Sequence, residues 1–267
     1  MVCVNEMDQQ EQIQFLYEIF DSSLPRLAPG DTASTKKALN TLFPDKSRRK
    51  STSDSAKLKI LDIGCGNGAQ TIQLAKHVEG TIVAVDNHQP FLEELQRRAE
   101  AEGISEKIQL YLKDMRALEL EKGTFDLIWA EGSLYIMGFR EGLVVCHDLL
   151  VPSGLLAASE LCWLQPDQPA ECRQFFDNEY PVMVDIATNL NTIKSSGYEV
   201  LGHFTLPEST WWISYYQPLE NRLQLLREKY VTDPIKIKMI ESVQIEIEVY
   251  RKYSKYYGYV FYLMQRS

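Results

Sequence analysis

Histidine is scarce: four residues are scattered over 267, and none falls at a spacing that would ligate a metal. Cysteine is sparse as well. Cys3, Cys65, Cys146, Cys162 and Cys172 form no CxxC pair and no regular framework, and an odd count does not close into a disulfide scaffold. Reduced thiols in a cytoplasmic protein are therefore expected. No apolar run reaches the length of a bilayer span, and the first residues lack a signal-peptide pattern, so no membrane association is expected. Basic residues are in deficit, 28 Lys and Arg against 37 Asp and Glu. The resulting net charge of −9 argues against nucleic acid as the partner and favours a neutral or cationic small molecule. What remains is an ordinary globular composition, 45% hydrophobic and 24% charged, with length for one sizeable core and an accessory layer.

The chain is organised around residues 57 to 68, KLKILDIGCGNG. Leu58, Ile60, Leu61 and Ile63 read as a buried strand, because a strand covered on both faces is nearly continuously apolar. Gly64, Gly66 and Gly68 follow Asp62 at every second position and let the main chain approach a ligand closely. A helix is expected from about Gly68 to Glu79, stopped by Gly80. Strand, glycine turn and helix open a nucleotide-binding βαβ unit. A second strand, Thr81 to Val85, ends at Asp86-Asn87, where a carboxylate can accept hydrogen bonds from ribose hydroxyls. Gly64, Gly66 and Ala69 would formally fit a dinucleotide fingerprint, so a nicotinamide cofactor remains an alternative on these residues alone.

Further strands are expected at Ile108 to Lys113, ending at Asp114-Met115, and at Phe125 to Ala130, running into Glu131. Pro90 opens the helix between the second and third strands, and Gly103 closes it. Asp62, Asp86, Asp114 and Glu131 thus fall at the ends of four successive strands, on the rim where open α/β sheets bind ligands. Pro152-Ser153-Gly154 reads as a turn before a fifth strand, Leu155 to Ser159, with Glu160 and Trp163 at its exit. Residues 166 to 197 look helical around Pro169 and Pro181, and Tyr198 to Leu206 is a sixth strand. Residues 207 to 218, PESTWWISYYQP, read as an aromatic loop, followed by helices near 218–231 and 234–255 and a last strand over Tyr257 to Met264.

The D-x-G-x-G-x-G arrangement of Asp62, Gly64, Gly66 and Gly68 resembles the first motif of the Rossmann-like (class I) S-adenosylmethionine-dependent methyltransferases. Phe125-Asp126 with its apolar continuation, EGSLY at 131–135, the WW-x-x-YY-x-P segment and the KYY-GYVFY end extend the likeness to a group of bacterial small-molecule methyltransferases of unassigned substrate. The resemblance implies a mainly parallel seven-stranded sheet with an antiparallel last strand. It also implies a cofactor site at Asp62, Gly64, Cys65, Gly66, Gly68, Asp86, Asn87, Asp114, Met115 and Glu131. By the same resemblance Asp62 lies towards the amino-acid end of the cofactor, while Asp114 and Met115 flank its adenine.

The expected division is a helical cap and linker over 1–50, a Rossmann-like core over 51–206, an aromatic loop and helical insert over 207–256, and the final core strand over 257–267. In the cap, Phe15 to Phe20 suggests an amphipathic helix. A Pro29-Gly30-Asp31 turn precedes a helix through Leu42, capped by Ser34 or Thr35; this part reads first as a helical lid packing on the sheet edge, and alternatively as a Gly30 turn that closes over the cofactor. Lys46 to Ser55 reads as a linker with a basic run. Methyl transfer needs proximity and orientation more than a triad, so no catalytic residue is fixed; the candidates are Glu131, Tyr135, Tyr215 and Tyr216. Glu160, Trp211 and Tyr216 are the substrate-facing candidates, an aromatic and acidic set suited either to a cationic amine or to stacking a planar ring. Transfer of a methyl group to a small molecule, with no metal, is the leading reading. A nicotinamide-dependent oxidoreductase and a non-catalytic S-adenosylmethionine-binding protein are the alternatives, and a monomer and a homodimer are equally open.

Overall fold

A computed structural model describes residues 7–45 and 57–267. The linker with its basic run over 46–55 lies outside the described residues, as does Cys3. Seven strands form one sheet: β1 (Leu58–Ile63), β2 (Gly80–Asp86), β3 (Ile108–Leu112), β4 (Phe125–Glu131), β5 (Leu150–Trp163), β6 (Tyr198–Thr205) and β7 (Tyr257–Arg266). Their order is β3-β2-β1-β4-β5-β7-β6, with β7 antiparallel to both of its neighbours and the pairs from β3 to β5 parallel. β1 lies between β2 and β4, and its last four residues are all buried, which is why it reads as an unbroken apolar run.

Helices cover both faces. α2 (Thr32–Leu42), α3 (Ala69–His77) and α4 (Gln89–Ala101) pack Leu39, Leu74 and Leu95 into a cluster with Ile60, Leu127 and Trp129. On the opposite face α5 (Phe139–Leu149) and α7 (Ile186–Ser195) bring Leu143, Cys146 and Ile193 against Leu61, Ile128 and Tyr262. A third apolar cluster joins three separate stretches of chain. It unites α1 (Gln9–Ile19), α6 (Ala170–Glu179), the run α8 (Glu208–Trp211) to α9 (Gln217–Lys229), and α10 (Pro234–Tyr253) through Phe15, Phe176, Trp211, Leu219, Ile247 and Tyr250.

Three expectations are corrected. Residues 207–218 are not a loop: α8 passes through a π-helical turn, Trp212–Tyr216, directly into α9. Wide turns of this kind occur at functional sites. Here the turn brings Trp211 and Tyr216 to one side, ring centroids 5.6 Å apart, whereas five residues of regular α-helix would set them about 140° apart around the axis. Pro152-Ser153-Gly154 does not end one element and begin another. It lies within the 14-residue β5 as a register irregularity opposite Phe125 and Leu127, with Ser153 at φ 61°. The cap of α2 is Asp31, whose carboxylate accepts from Ser34 N–H at 2.7 Å, because the helix begins earlier than a Ser34 or Thr35 cap would allow.

Candidate functional site

The carboxyl ends of β1 to β5 open into one cavity of about 650 Å³, roofed by the third cluster. It extends from Asp114 beyond β3 to Glu160 on β5 and Tyr259 on β7. β3 and β5 are four strand spacings apart in the sheet, roughly 19 Å at the usual interstrand distance.

At one end the chain leaves β1 in a tight glycine turn. Gly64 and Cys65 N–H both donate to the Val85 carbonyl at 2.9 Å, which ties the turn to β2. Gly64 has φ +69°, and a Cβ there would fall 2.6 Å from Ser133 Cβ and 3.0 Å from Met115 Cε. Gly68, at φ +80°, is the N-cap of α3; a Cβ there would meet Leu95 Cδ1 at 2.2 Å. The first glycine lets Ser133 and Met115 pack against the turn, and the second lets α3 and α4 pack. Asp86 accepts from Gly66 N–H at 2.9 Å and His88 N–H at 3.0 Å, and burial raises its pKa despite those bonds. Over this end Tyr17 of α1 stacks on His88, centroids 3.5 Å apart and planes 9° from parallel. Asn67 Nδ2 donates to the Leu24 carbonyl at 2.7 Å and Arg98 to the same oxygen at 2.9 Å, which pins residues 22–26 above the turn.

In the middle, Glu131 ends β4 in a buried network. Arg26 Nη1 pairs with Oε2 at 2.8 Å, while Trp129 Nε1 and the Thr35 hydroxyl donate to Oε1 at 2.9 and 3.4 Å. Ser133 Oγ donates to the Ile63 carbonyl at 2.6 Å, and Gly132 N–H donates to Ser159 Oγ at 2.9 Å, so the loop after β4 is held to both neighbouring strands.

The far end is aromatic and acidic. Tyr135, Trp211, Tyr215, Tyr216, Tyr257 and Tyr259 line it with Glu160 and Glu246. Glu160 is 3% exposed; its Oε1 accepts from the Tyr180 hydroxyl at 2.5 Å, and its Oε2 is buried without a hydrogen-bond partner. Burial pushes its pKa up to about 7. Glu246 Oε1 accepts from Tyr216 at 2.8 Å, and burial raises its pKa too.

Residues 60–154 match a family model described as a methyltransferase domain. Over these residues the chain is similar to methyltransferase domains. The fold agrees: an S-adenosylmethionine-dependent methyltransferase from Thiobacillus denitrificans, solved with S-adenosyl-L-homocysteine, superposes with a TM-score of 0.78 at 18% identity, over 94% of this chain and 98% of that one. Among curated relatives, a sterol 24-C-methyltransferase of Aspergillus fumigatus is 25% identical over 194 residues, 66% of this chain and 48% of its own length. A carboxy-S-adenosyl-L-methionine synthase of Shewanella piezotolerans is 28% identical over 154 residues, 56% of this chain and 60% of its own. The chain spans about half the length of the curated sterol methyltransferases it matches. These matches lend the nicotinamide and non-catalytic readings no support.

Gly64, Cys65, Gly66, Asp86, Asn87, Asp114, Met115 and Glu131 all line the cavity, as do Tyr135, Glu160, Trp211, Tyr215 and Tyr216. Asp62 and Gly68 do not. Asp62 is fully buried behind the turn, accepting from the Thr71 hydroxyl at 2.6 Å and from Gln70 at 3.4 Å; burial pushes its pKa up to about 7. It braces the turn against α3 rather than facing the ligand space. Both Glu131 oxygens are engaged, Oε2 by Arg26 and Oε1 by Thr35 and Trp129. Asp114 lines the cavity while held by the Arg116 guanidinium at 2.8 Å, which keeps its pKa below the ordinary value. Arg26, Tyr17, Tyr180, Glu246, Tyr257 and Tyr259 were not singled out from sequence. Tyr257 and Tyr259 belong to the quoted KYY-GYVFY end and Tyr17 to the Phe15 to Phe20 cluster, but only the tertiary fold brings all six to this rim. Asn67 sat inside the quoted glycine motif and was legible there. Among the described residues no group of three or more His, Cys, Asp or Glu forms a metal-holding cluster, and no helix is long and apolar enough to cross a membrane.

Proposed function

We propose that this protein transfers a methyl group from S-adenosylmethionine to a small-molecule acceptor in the cytoplasm, with no part played by nucleic acid. The observation that carries the reading is the single cavity with a glycine-turn end and an aromatic, acidic end. The first end suits the cofactor: the main chain of Gly64 and Gly66 lines the cavity without side chains, and Asp86 stands one hydrogen bond from the turn. On this reading the Gly64–Gly66 main chain, Asp86 and Asn87 hold the ribose side. Asp114 and Met115 hold the adenine, and Arg26 with Glu131 faces the amino-acid end. When bound, S-adenosylmethionine supplies a methyl group activated on a sulfonium sulfur. The protein's own part is to orient both reactants and exclude water. The roof of α1, α6 and α8 to α10 does the excluding, and Tyr135, Glu160, Trp211, Tyr215 and Tyr216 position the acceptor. The division that follows is a catalytic core of residues 57–206 and 257–267 under a cap of 7–45 and 207–256.

Calorimetric titration with S-adenosylhomocysteine, with NAD and NADP alongside, tests the reading. Saturable binding of S-adenosylhomocysteine alone is expected. Binding of a nicotinamide nucleotide, or of none of the three, overturns it.

A further inference from the structure

We propose that the aromatic end of the cavity binds an organic ammonium ion, with Glu160 and Glu246 as its counter-charges, and that Glu160 takes up the proton that frees the amine nitrogen to react. This rests on the methyltransferase reading and names its acceptor class. The walls are the faces and edges of Trp211, Tyr135, Tyr215, Tyr216 and Tyr259, an arrangement that attracts a cation through the ring quadrupoles. The same walls hold two carboxylates with no cation of their own. Of the cavity's lining residues only Arg26 and Lys113 are Lys or Arg; Arg26 is committed to Glu131 at 2.8 Å, and Lys113, at the β3 end, to Glu119 at 3.1 Å.

The groups facing Glu160 are Tyr180, Tyr135, Tyr259, Tyr262, Cys162 and the Leu161 backbone, and those facing Glu246 are Tyr216, Tyr215, Tyr257, Tyr259, Tyr135 and Glu179. None of them is a cation. Glu160 lines the cavity, and its Oε2, buried and without a hydrogen-bond partner, is the acceptor left over, because Tyr180 occupies only Oε1. A neutral hydroxyl could donate to that oxygen as well, but an ammonium N–H does so with charge assistance and balances the carboxylate's charge. The proton then passes from the ammonium nitrogen to Oε2, leaving a neutral amine with its lone pair and a neutral carboxyl group, which later returns the proton to water. With its pKa near 7, Glu160 holds a proton far better than an ordinary glutamate, as a general base near neutral pH requires.

The test is calorimetry on the full chain saturated with S-adenosylhomocysteine, using ethylamine, ethanolamine and phenethylamine, each against its uncharged isostere (propane-sized alcohol, ethylene glycol and 2-phenylethanol). At least one amine is expected to bind about tenfold or more tighter than its isostere. E160Q and E246Q should each abolish that preference while leaving S-adenosylhomocysteine affinity within about twofold. With S-adenosylmethionine present, E160Q should slow turnover of the bound amine about 100-fold or more. Equal binding of amine and isostere, no binding of any amine, or a preference unchanged in both variants overturns the assignment. Turnover retained in E160Q overturns the proton role. Failure of S-adenosylhomocysteine itself to bind would instead remove the underlying reading, so the two failures are separate. E246Q supplies the answer if E160Q does not fold.

Discussion

Glu160→Gln keeps the shape of the side chain and its acceptor for the Tyr180 hydroxyl, but removes an ionisable group from a site that is 3% exposed. Burial raises the carboxyl from its ordinary 4.5 to about 7 in the folded chain. At about 1.36 kcal/mol per pH unit, the fully ionised side chain costs the native state about 3 kcal/mol. The sign follows from proton binding. Between pH 4.5 and about 7 the folded protein holds a proton that the unfolded chain has released, so this group lowers stability as pH rises across that window and not beyond it. Asp62, Asp86 and Glu246 are raised as well and act in the same sense, so the comparison must be between the variant and the parent at each pH. Urea unfolding from pH 4.5 to 8 should show the two proteins equally stable at the acid end. The variant should be more stable by about 3 kcal/mol at pH 8, or roughly 6–12 °C in midpoint temperature for a chain of this size. A difference that stays flat across the window would mean that the carboxylate is hydrated in the native state, and would refute the burial argument.

Three further outcomes follow from the same geometry. Arg26→Ala leaves Glu131 buried with only Thr35 and Trp129 as donors, and should cost about 3–5 kcal/mol in urea unfolding at neutral pH; a loss below about 1 kcal/mol would show that the pair is solvated. Asp86→Ala should weaken S-adenosylhomocysteine binding by about 1–3 kcal/mol in calorimetry, and unchanged affinity would remove Asp86 from the ribose site. Gly64→Ala forces a Cβ to within 2.6 Å of Ser133 Cβ at φ +69°. It should reduce S-adenosylhomocysteine affinity about tenfold or more with an unchanged far-UV dichroism spectrum, the left-handed backbone alone costing about 1–2 kcal/mol.

The alternation of apolar strands with helices, the glycine turn after β1 and the acidic residue at each strand end are local patterns, and they fixed the sheet and one end of the cavity from sequence. A period of hydrophobicity or a glycine at a left-handed turn is dictated by neighbours along the chain. The aromatic stretch at 207–218 was visible as composition but not as geometry: whether Trp211 and Tyr216 share a side depends on a π-helical turn, which has no sequence period of its own. Asp62 belonged to the right motif, yet its direction was decided by Thr71 and Gln70 on α3, and it braces the turn instead of lining the cavity. The acceptor end lay furthest from reach. Tyr180, Glu246 and Tyr259 sit 20, 86 and 99 residues beyond Glu160 and share its cavity only because α6 packs over the rim, α10 crosses it and β7 inserts beside β5. The sequence by itself determined which ends of which strands carry polar groups, because that is local chemistry. The tertiary structure alone decided which of those groups are paired, which are braced and which keep an unpaired oxygen, because burial and partners come from chain segments that no local pattern connects.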